Sequence, residues 1–127
     1  MDKSKIRDFQ IKRQKSFDER YRSTSRILHK YPGRIPIYIE AASQAVDDLD
    51  KHKYLVPRDL SMGQFIFMVR KRLTLNPNMA IFVFVVNEAN PQGILANTST
   101  MIGELYNDYA ETDGLLYMVY NIENTYG

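Results

Sequence analysis

Few side chains in this sequence could carry out catalysis. It contains two histidines, His29 and His52, and no cysteine, so a cysteine nucleophile and a thiolate metal site are excluded. The acidic residues Asp47, Asp48 and Asp50 could imitate a cation loop, but the glycine and the terminal glutamate of a calcium loop are missing. The glycines are scattered singly, so they form neither a phosphate-binding loop nor a dinucleotide fingerprint. We therefore expect a protein that is not an enzyme and that has no cofactor, no metal site and no nucleic-acid partner.

Positive charge is concentrated at the N-terminus. The net charge is +2, yet residues 1–15 contain six lysines and arginines against two aspartates, which makes this segment +4. Such a run is usually a solvated tail or helix face, and we favour that interpretation. Attraction to an anionic surface, either a membrane or tubulin, is the alternative. We expect this attraction to be weak and salt-sensitive, and not to anchor the protein.

Size and composition indicate a single folded domain. The chain has 127 residues, of which 44% are hydrophobic and 25% are charged, as in ordinary globular proteins. No apolar run approaches the roughly 18 residues of a membrane span, and the first residues are too charged for a secretory signal. The absence of cysteine suits a reducing compartment. We therefore expect a cytoplasmic protein.

Capping signals predict the helices. Ser16 with Glu19 and Ser61 with Gln64 each form a capping box, in which each side chain satisfies the other residue's free backbone N–H. The predicted helices end at Pro32-Gly33 and Asn76-Pro77. Ahead of them, the spacing of Ile6, Phe9 and Arg13 allows a short amphipathic helix. Met101 to Tyr109 predicts another short helix, which Thr98 to Thr100 could cap.

Apolar runs predict four strands, namely Arg34 to Glu40, Lys53 to Val56, Ala80 to Val86 and Leu115 to Tyr120. The first two strands should form a hairpin. The two outer parts of the fold along the chain should pair in parallel at the centre of the sheet. The unbroken run Ala80 to Val86 is typical of a central strand covered on both faces, whereas Asn90 to Gly93 indicates a turn or loop.

The order of these elements fits an α+β fold, a ubiquitin-like β-grasp in which a helix packs on a four-stranded mixed sheet. Two N-terminal helices precede the sheet. We expect residues 1–33 to form the helical extension and residues 34–127 the core with an exposed C-terminal tail.

Several short stretches also match one known family in order along the chain. They are Phe17-Asp18-Glu19-Arg20, Tyr31-Pro32-Gly33-Arg34-Ile35-Pro36, Asp50-Lys51-His52-Lys53-Tyr54-Leu55-Val56-Pro57, Met62-Gly63-Gln64-Phe65, Arg70-Lys71-Arg72, Ala80-Ile81-Phe82, Asp113-Gly114 and Glu123-Asn124-Thr125-Tyr126-Gly127. From about Lys12 to its end, the chain resembles the autophagy-related ubiquitin-like modifiers, the family that includes GABARAP and the microtubule-associated protein light chain.

The resemblance implies a membrane tag. In the family, the terminal glycine is activated with ATP, passed between cysteines of conjugating enzymes and joined to the amine of phosphatidylethanolamine, and Gly127 is the matching residue. The tagged protein would be held on the autophagosome membrane by this lipid anchor and would support autophagosome formation. Family members usually carry further residues that a cysteine protease removes. Either a longer precursor is trimmed at Gly127, or the protein ends there from the outset.

The resemblance also implies a peptide-binding site for cargo receptors with the motif aromatic-x-x-aliphatic, which would add a strand to the edge Lys53 to Val56. The implied aromatic pocket consists of Ile27, Pro36, Tyr38, Lys51, Leu55 and Leu115. The implied aliphatic pocket consists of Tyr54, Val56, Pro57, Leu60, Phe65, Met68 and Arg72. Arg34, Lys51 and Lys53 would meet acidic residues of the partner.

Two alternatives stay open at this point. The first is that Ile27, Leu55 and Phe65 belong to the core, because apolar residues at their spacing are core material in most proteins. The chain also departs from its relatives at Ser23, Tyr38 and Leu115, which could change the preferred motif.

The second alternative concerns function. The chain could be an interaction module for cytoskeletal or vesicle-trafficking proteins that is never joined to lipid. Availability of Gly127 to the conjugating enzymes would separate the two functions.

Overall fold

A computed structural model of the protein describes residues 8–124. The elements follow the order α1 (Gln10–Gln14), α2 (Phe17–Lys30), β1 (Arg34–Ala41), β2 (Lys53–Pro57), α3 (Met62–Leu73), β3 (Met79–Asn87), β4 (Asn90–Leu95), α4 (Ile102–Tyr109) and β5 (Leu116–Asn124). The basic residues of segment 1–7 and the predicted attachment site Gly127 lie outside the described residues.

The strands form one mixed sheet in the order β2-β1-β5-β3-β4. The predicted hairpin is confirmed, because β1 pairs antiparallel with β2 and Ile37 lies opposite Tyr54. The predicted parallel pairing is also confirmed, since β1 and β5 run parallel with Ile37 opposite Leu116. The two ends of the chain's folded core therefore meet at the middle of the sheet.

The sheet has five strands where the sequence predicted four. The segment read as a turn or loop forms β4, which pairs antiparallel with β3 and places Ile94 opposite Val85. Pro91 and Gly93 obscured the strand in the sequence, yet both suit it: a proline is tolerated on an edge strand, and Gly93 has a φ of +89°. A Cβ at Gly93 would lie 2.9 Å from Cβ of Phe84, so the two backbones approach closely there.

The prediction for β3 is confirmed in part. The strand lies inside the sheet, between β5 and β4, as expected of a central strand. Residues 79–82 of β3 are only partly buried, and Phe82 is 36% exposed. An unbroken apolar run therefore did not require cover on both faces along its whole length.

Both predicted capping boxes are confirmed. The Ser16 hydroxyl accepts from the Glu19 N–H at the start of α2, and the Ser61 hydroxyl accepts from the Gln64 N–H at the start of α3. Helix α3 ends at Leu73, before the predicted Asn76-Pro77, because Thr74 adopts the left-handed conformation with a φ of 52°.

The cap predicted for α4 was wrong. The N-cap residue is Met101, and no side chain caps the helix. The loop that was expected to supply the cap is engaged with α3 instead: the Thr100 carbonyl accepts from the Met62 N–H at 2.8 Å, and the Thr98 carbonyl accepts from the Gly63 N–H at 2.9 Å. These bonds satisfy backbone donors of the first turn of α3, which have no partner within the helix.

The two faces of the sheet are covered by different parts of the chain. On one face, α3 and α4 complete the larger apolar cluster, which includes Ile37, Phe65 and Ile102. On the other, residues from the N-terminal segment complete a smaller cluster with Tyr38 and Tyr117. Each helix layer thus buries one side of the alternating strands.

The second layer includes part of the segment that was expected to be solvated. Phe9 is 0% exposed and Ile11 is 3% exposed, both within the smaller cluster. The Phe9 ring packs on Tyr117 at a centroid distance of 4.8 Å and meets Tyr38 edge-on at 5.9 Å. The preferred interpretation of residues 1–15 was therefore wrong for Phe9 and Ile11, because their apolar side chains complete the core.

A buried carboxylate joins α2 to the start of β5. Asp113 is 1% exposed, and its Oδ2 accepts from Nε of Arg20 at 2.9 Å and from the Tyr117 hydroxyl. Its Oδ1 accepts from the Leu115 N–H at 3.0 Å. Burial, followed by the hydrogen bond to Asp113, raises the pKa of the Tyr117 hydroxyl. The network fixes both the helix and the residues that lead into β5.

We predict that Gly114→Ala destabilises the fold. Gly114 has a φ of +92°, and an added Cβ would lie 2.8 Å from Cγ2 of the buried Thr24 on α2. The expected loss in the free energy of unfolding is about 3 kcal/mol, from the left-handed backbone and the close contact together. Urea denaturation measures it. Gly33→Ala is the matched control, since nothing lies within 4 Å of its added Cβ; an equal loss at Gly33 would contradict the explanation.

Candidate functional site

Strand β2 forms one edge of the sheet and pairs with β1 along its inner side. Its residues alternate in burial: Tyr54 and Val56 are buried, whereas Lys53 and Pro57 are exposed and Leu55 is half-buried. Tyr54 and Val56 belong to the larger cluster, on the α3 face. Consequently Leu55 points to the α2 face, and the strand separates two surfaces that a ligand could contact at once.

An apolar pocket of about 150 Å³ lies on the α2 face beside β2. The structure brings together there seven residues that the sequence assigned to the binding site, which are Ile27, Pro36, Lys51, Lys53, Tyr54, Leu55 and Leu115. Of these, Tyr54 had been expected in the aliphatic pocket. Ile27 lies on α2 and Pro36 on β1, and Leu115 directly precedes β5. The pocket is therefore assembled from segments that are far apart in the sequence.

The same pocket contains residues that the sequence reasoning missed, namely Ile11, Lys15, Arg20, Ser23, Thr24 and Ile37. Ser23 had been noted, but as a departure from the family pattern. Ile11 is the second residue of α1, and Lys15 directly follows the helix. A run of basic residues around two isoleucines and a phenylalanine carried no signal strong enough to place it against a pocket.

The mouth of this pocket is positively charged. Loss of hydration lowers the pKa of the Lys53 ammonium, and the nearby charge of Lys15 lowers it further. Arg20 also lines the pocket, although its charge is balanced by Asp113. An anionic group would relieve the repulsion between Lys15 and Lys53.

Tyr38 does not lie in the wall of this pocket, where the family pattern had placed it. It is 4% exposed and packs against Phe9 and Tyr117, and its hydroxyl donates to Oε2 of Glu40 at 2.7 Å. Burial, followed by this hydrogen bond, raises the pKa of the hydroxyl. Its side chain thus supports the sheet beneath the N-terminal segment.

A second, more open depression of about 550 Å³ lies on the α3 side. It includes Leu60 and Met68 of the predicted aliphatic pocket, and Met68 is 38% exposed. Phe67, which the sequence reasoning missed, is 60% exposed there, with Nζ of Lys71 5.4 Å from the centroid of its ring. The remaining lining residues are Ser61, Gly63, Gln64, Thr98 and Ser99.

The other residues assigned to the aliphatic pocket fall into two groups. Tyr54, Val56 and Phe65 belong to the core, and Phe65 is 0% exposed with its ring edge-on to Tyr54 at 5.6 Å. Pro57 and Arg72 are exposed, as is Arg34, which had been expected to meet acidic residues of the partner. The Arg72 guanidinium donates to both carboxylate oxygens of Asp50, with Nη2 3.1 Å from each. The structure places Phe65 in the core, which was the alternative interpretation of this residue.

Neither depression is lined by a histidine or a carboxylate. Among residues 8–124, no group of three or more histidines and carboxylates is placed to hold a metal ion. In the same part of the chain, no helix has the length and apolarity needed to cross a membrane. Nδ1 of His52 donates to the Ile39 carbonyl at 2.9 Å, and its Nε2 lies 3.4 Å from Oδ2 of Asp48. The geometry suits the binding of an extended peptide.

Comparison with known proteins identifies the family. The sequence pattern of the family described as "Autophagy protein Atg8 ubiquitin like" matches residues 19–127. The chain belongs to the Atg8 family. It is a ubiquitin-like modifier of autophagy, as the resemblance in the sequence had implied, and the predicted ubiquitin-like fold with two N-terminal helices is confirmed.

Relatives of known identity cover most of this Atg8 protein. Autophagy-related protein 8h of Arabidopsis thaliana is 47% identical over 118 residues, which span 92% of this chain and 94% of the relative. Autophagy-related protein 8a of the same plant is 47% identical over 111 residues, or 87% of this chain and 86% of the relative.

Two solved structures of Atg8 proteins have the same fold as this chain. Trypanosoma brucei ATG8 is 32% identical and superposes with a TM-score of 0.81 over 95% of this chain and 100% of that one. Plasmodium falciparum Atg8, solved in complex with a peptide of Plasmodium falciparum Atg3, is 32% identical with a TM-score of 0.76 over 90% and 96% of the two chains.

We predict that Tyr54→Phe stabilises this Atg8 protein. The Tyr54 hydroxyl is buried and has no hydrogen-bond partner among residues 8–124. Its removal should raise the free energy of unfolding by about 1 kcal/mol, because an unsatisfied buried group is costly. Tyr106→Phe is the matched control: that hydroxyl donates to the Gly114 carbonyl at 2.7 Å, so its removal should cost about 1 kcal/mol. Chemical denaturation measures the change in the free energy of unfolding of each variant. Changes of the same sign in both variants would contradict this explanation.

Proposed function

We propose that this Atg8 protein is joined through Gly127 to phosphatidylethanolamine on autophagic membranes and recruits cargo receptors through aromatic-x-x-aliphatic motifs. It acts as a tag and adaptor and not as a catalyst. It is cytoplasmic before conjugation and lies on the autophagosome membrane afterwards. The match of the family pattern through residue 127 supports Gly127 as the attachment site.

The observation that carries the peptide-binding proposal is the position of β2 between the two depressions. A peptide that adds to the free edge of β2 is extended, so side chains three positions apart point to opposite faces of the sheet. The α2-side pocket, beside Leu55, receives the aromatic side chain. The depression at Leu60 and Met68 receives the aliphatic one. The motif spacing and the two-sided edge therefore fit each other.

Charge at the α2-side pocket supports a preference for acidic residues next to the aromatic one. Lys15, Lys51 and Lys53 line this pocket, and no acidic residue is among its lining residues. A carboxylate of the peptide would be attracted to them, most strongly at low ionic strength. Arg34, at the start of β1 opposite Pro57, offers a further positive charge along the same edge.

Conjugation enzymes are proposed as partners of the same surface. The structural neighbour from Plasmodium falciparum holds a peptide of Atg3, and we propose that this chain takes a peptide of its own conjugation enzyme likewise. A cysteine protease that exposes Gly127 and the membrane lipid itself complete the set. Tubulin, the remaining candidate from the sequence, would meet the basic N-terminal segment.

We predict that Gly127→Ala blocks attachment to lipid. A Cβ at this position would hinder threading of the tail into narrow active sites, which glycine allows. Membrane flotation with a gel-mobility shift, in a reconstituted conjugation reaction, measures the product. Gly33→Ala makes the same exchange on the open surface and should be conjugated normally. Lipid-linked Gly127→Ala protein would refute the proposed site, and an unconjugated parent chain would favour the interaction module that is never joined to lipid.

We predict that Leu60→Ala weakens peptide binding about thirtyfold, the effect of an interface residue that contributes roughly 2 kcal/mol, while stability changes little. Leu60 is half-buried and lines the α3-side depression. Calorimetry with a synthetic motif peptide measures the affinity. Val69→Ala is the control: Val69 is 0% exposed in the core, so it should lose about 2 kcal/mol of stability and keep its affinity while folded. Unchanged affinity with a collapsed melting temperature in Leu60→Ala would place Leu60 in the core instead.

A further inference from the structure

The short helix α1 forms one wall of the α2-side pocket. Ile11 and Lys15 line the pocket from this side, whereas Ile27, Pro36 and Leu55 line it from α2 and the sheet. Ile11 is 3% exposed, because it packs into the smaller cluster beside Leu115. If α1 moved away, the pocket would lose this wall and its apolar floor would become exposed to water.

Helix α1 cannot hold this position by itself. It has five residues and no side-chain cap at its N-terminus. Isolated helices shorter than about 12 residues are marginal in water even with favourable sequences. Its place against the sheet must therefore come from tertiary contacts.

Two carboxylates of the folded core provide polar contacts to α1. Oε1 of Glu111 accepts from Nζ of Lys12 at 2.7 Å, with the Lys12 and Glu111 side chains 20% and 10% exposed. Nζ of Lys12 also lies 4.5 Å from the centroid of the Tyr117 ring, a cation–π contact. Oε2 of Glu40 accepts from the Gln10 N–H at 2.6 Å. The Lys12–Glu111 pair thus ties the helix to the loop before β5.

The Lys12–Glu111 pair is separate from the pocket it would control. Neither residue lines the pocket, although Ile11, the neighbour of Lys12, does. On the core side, Glu111 and the pocket residue Leu115 are linked through the backbone, since the Glu111 N–H donates to the Leu115 carbonyl at 3.0 Å. One ion pair therefore connects two parts of the pocket wall, α1 and the segment that carries Leu115.

We propose that Lys12 and Glu111 are positioning residues that latch α1 in place and so set the affinity of the pocket for the aromatic side chain of a bound peptide. The inference rests on the proposed peptide-binding function. It adds a determinant of affinity that lies outside the lining of the pocket. Opening of the latch lowers affinity for the aromatic residue and leaves the α3-side depression, at Leu60 and Met68, unchanged.

The test is a thermodynamic cycle on the full chain. Calorimetry measures binding of two synthetic peptides, one with the aromatic-x-x-aliphatic motif and one with alanine at the aromatic position. Lys12→Met should bind the first peptide about tenfold more weakly, a usual coupling between residues of one network. It should bind the second as tightly as the unsubstituted chain does. Hydrogen exchange of the amides of residues 10–15 should rise, while β1 and β5 remain protected.

Arg13→Met is the matched control, because it removes the same charge from the same helix. Arg13 forms an exposed pair with Asp8, in which the two side chains are 55% and 67% exposed, so binding should stay at the parent level. Lys12→Arg keeps the positive charge and should restore affinity. If Lys12→Met alone unfolds, the double variant Lys12→Met/Glu111→Gln leaves no unpaired buried carboxylate and takes its place in the cycle.

The outcomes separate the latch from the function it rests on. Parent-level binding of the aromatic peptide by Lys12→Met would overturn the latch alone. Equal losses for both peptides, or an equal loss in Arg13→Met, would also overturn it, because the effect would then be general destabilisation or lost charge. If the unsubstituted chain bound neither peptide, the proposed peptide-binding function would fall, and the latch with it.

Discussion

The carboxylate of Asp113 is the contact on which the second layer of this protein depends. It is buried between α2 and the start of β5, where Arg20, Tyr117 and the Leu115 N–H all donate to it. A buried charge is tolerated when it is paired and its oxygens are hydrogen-bonded. Loss of one partner leaves the charge uncompensated, at a cost of about 3 to 5 kcal/mol. The geometry of Leu115, and so one wall of the α2-side pocket, follows from this network.

Sequence patterns correctly predicted the two capping boxes and two of the strand pairings. Both capping boxes formed because Ser16 and Ser61 need only a partner three residues away. The β1–β2 hairpin and the parallel β1–β5 pair followed from apolar alternation and element order. Strand β4 was missed, since Pro91 and Gly93 are turn residues by propensity and become strand residues only when β3 lies alongside.

The candidate site could be predicted only in part, for the same reason. Family likeness placed Ile27, Pro36, Leu55 and Leu115 in one pocket, and the structure brings them together. It could not place Ile11 or Lys15, because α1 is stabilised by Glu40 and Glu111, which are distant in the sequence. Tyr38 shows the converse case. The resemblance placed it in the aromatic pocket, but the Phe9 ring packs against it and its hydroxyl donates to Glu40.

The two depressions differ in how they are built, and this has consequences for specificity. The α3-side depression borders the main core, where Phe65 and Val56 are fixed by close packing, so changes to these two core residues also affect stability. The α2-side pocket is closed by a short helix held through an ion pair and a few apolar contacts, so its shape can vary at little cost to the sheet. In the proposed complex, main-chain bonding to β2 would be nearly independent of the peptide's side chains. Differences in motif preference among proteins of this build should therefore concentrate where α1, α2 and Leu115 meet.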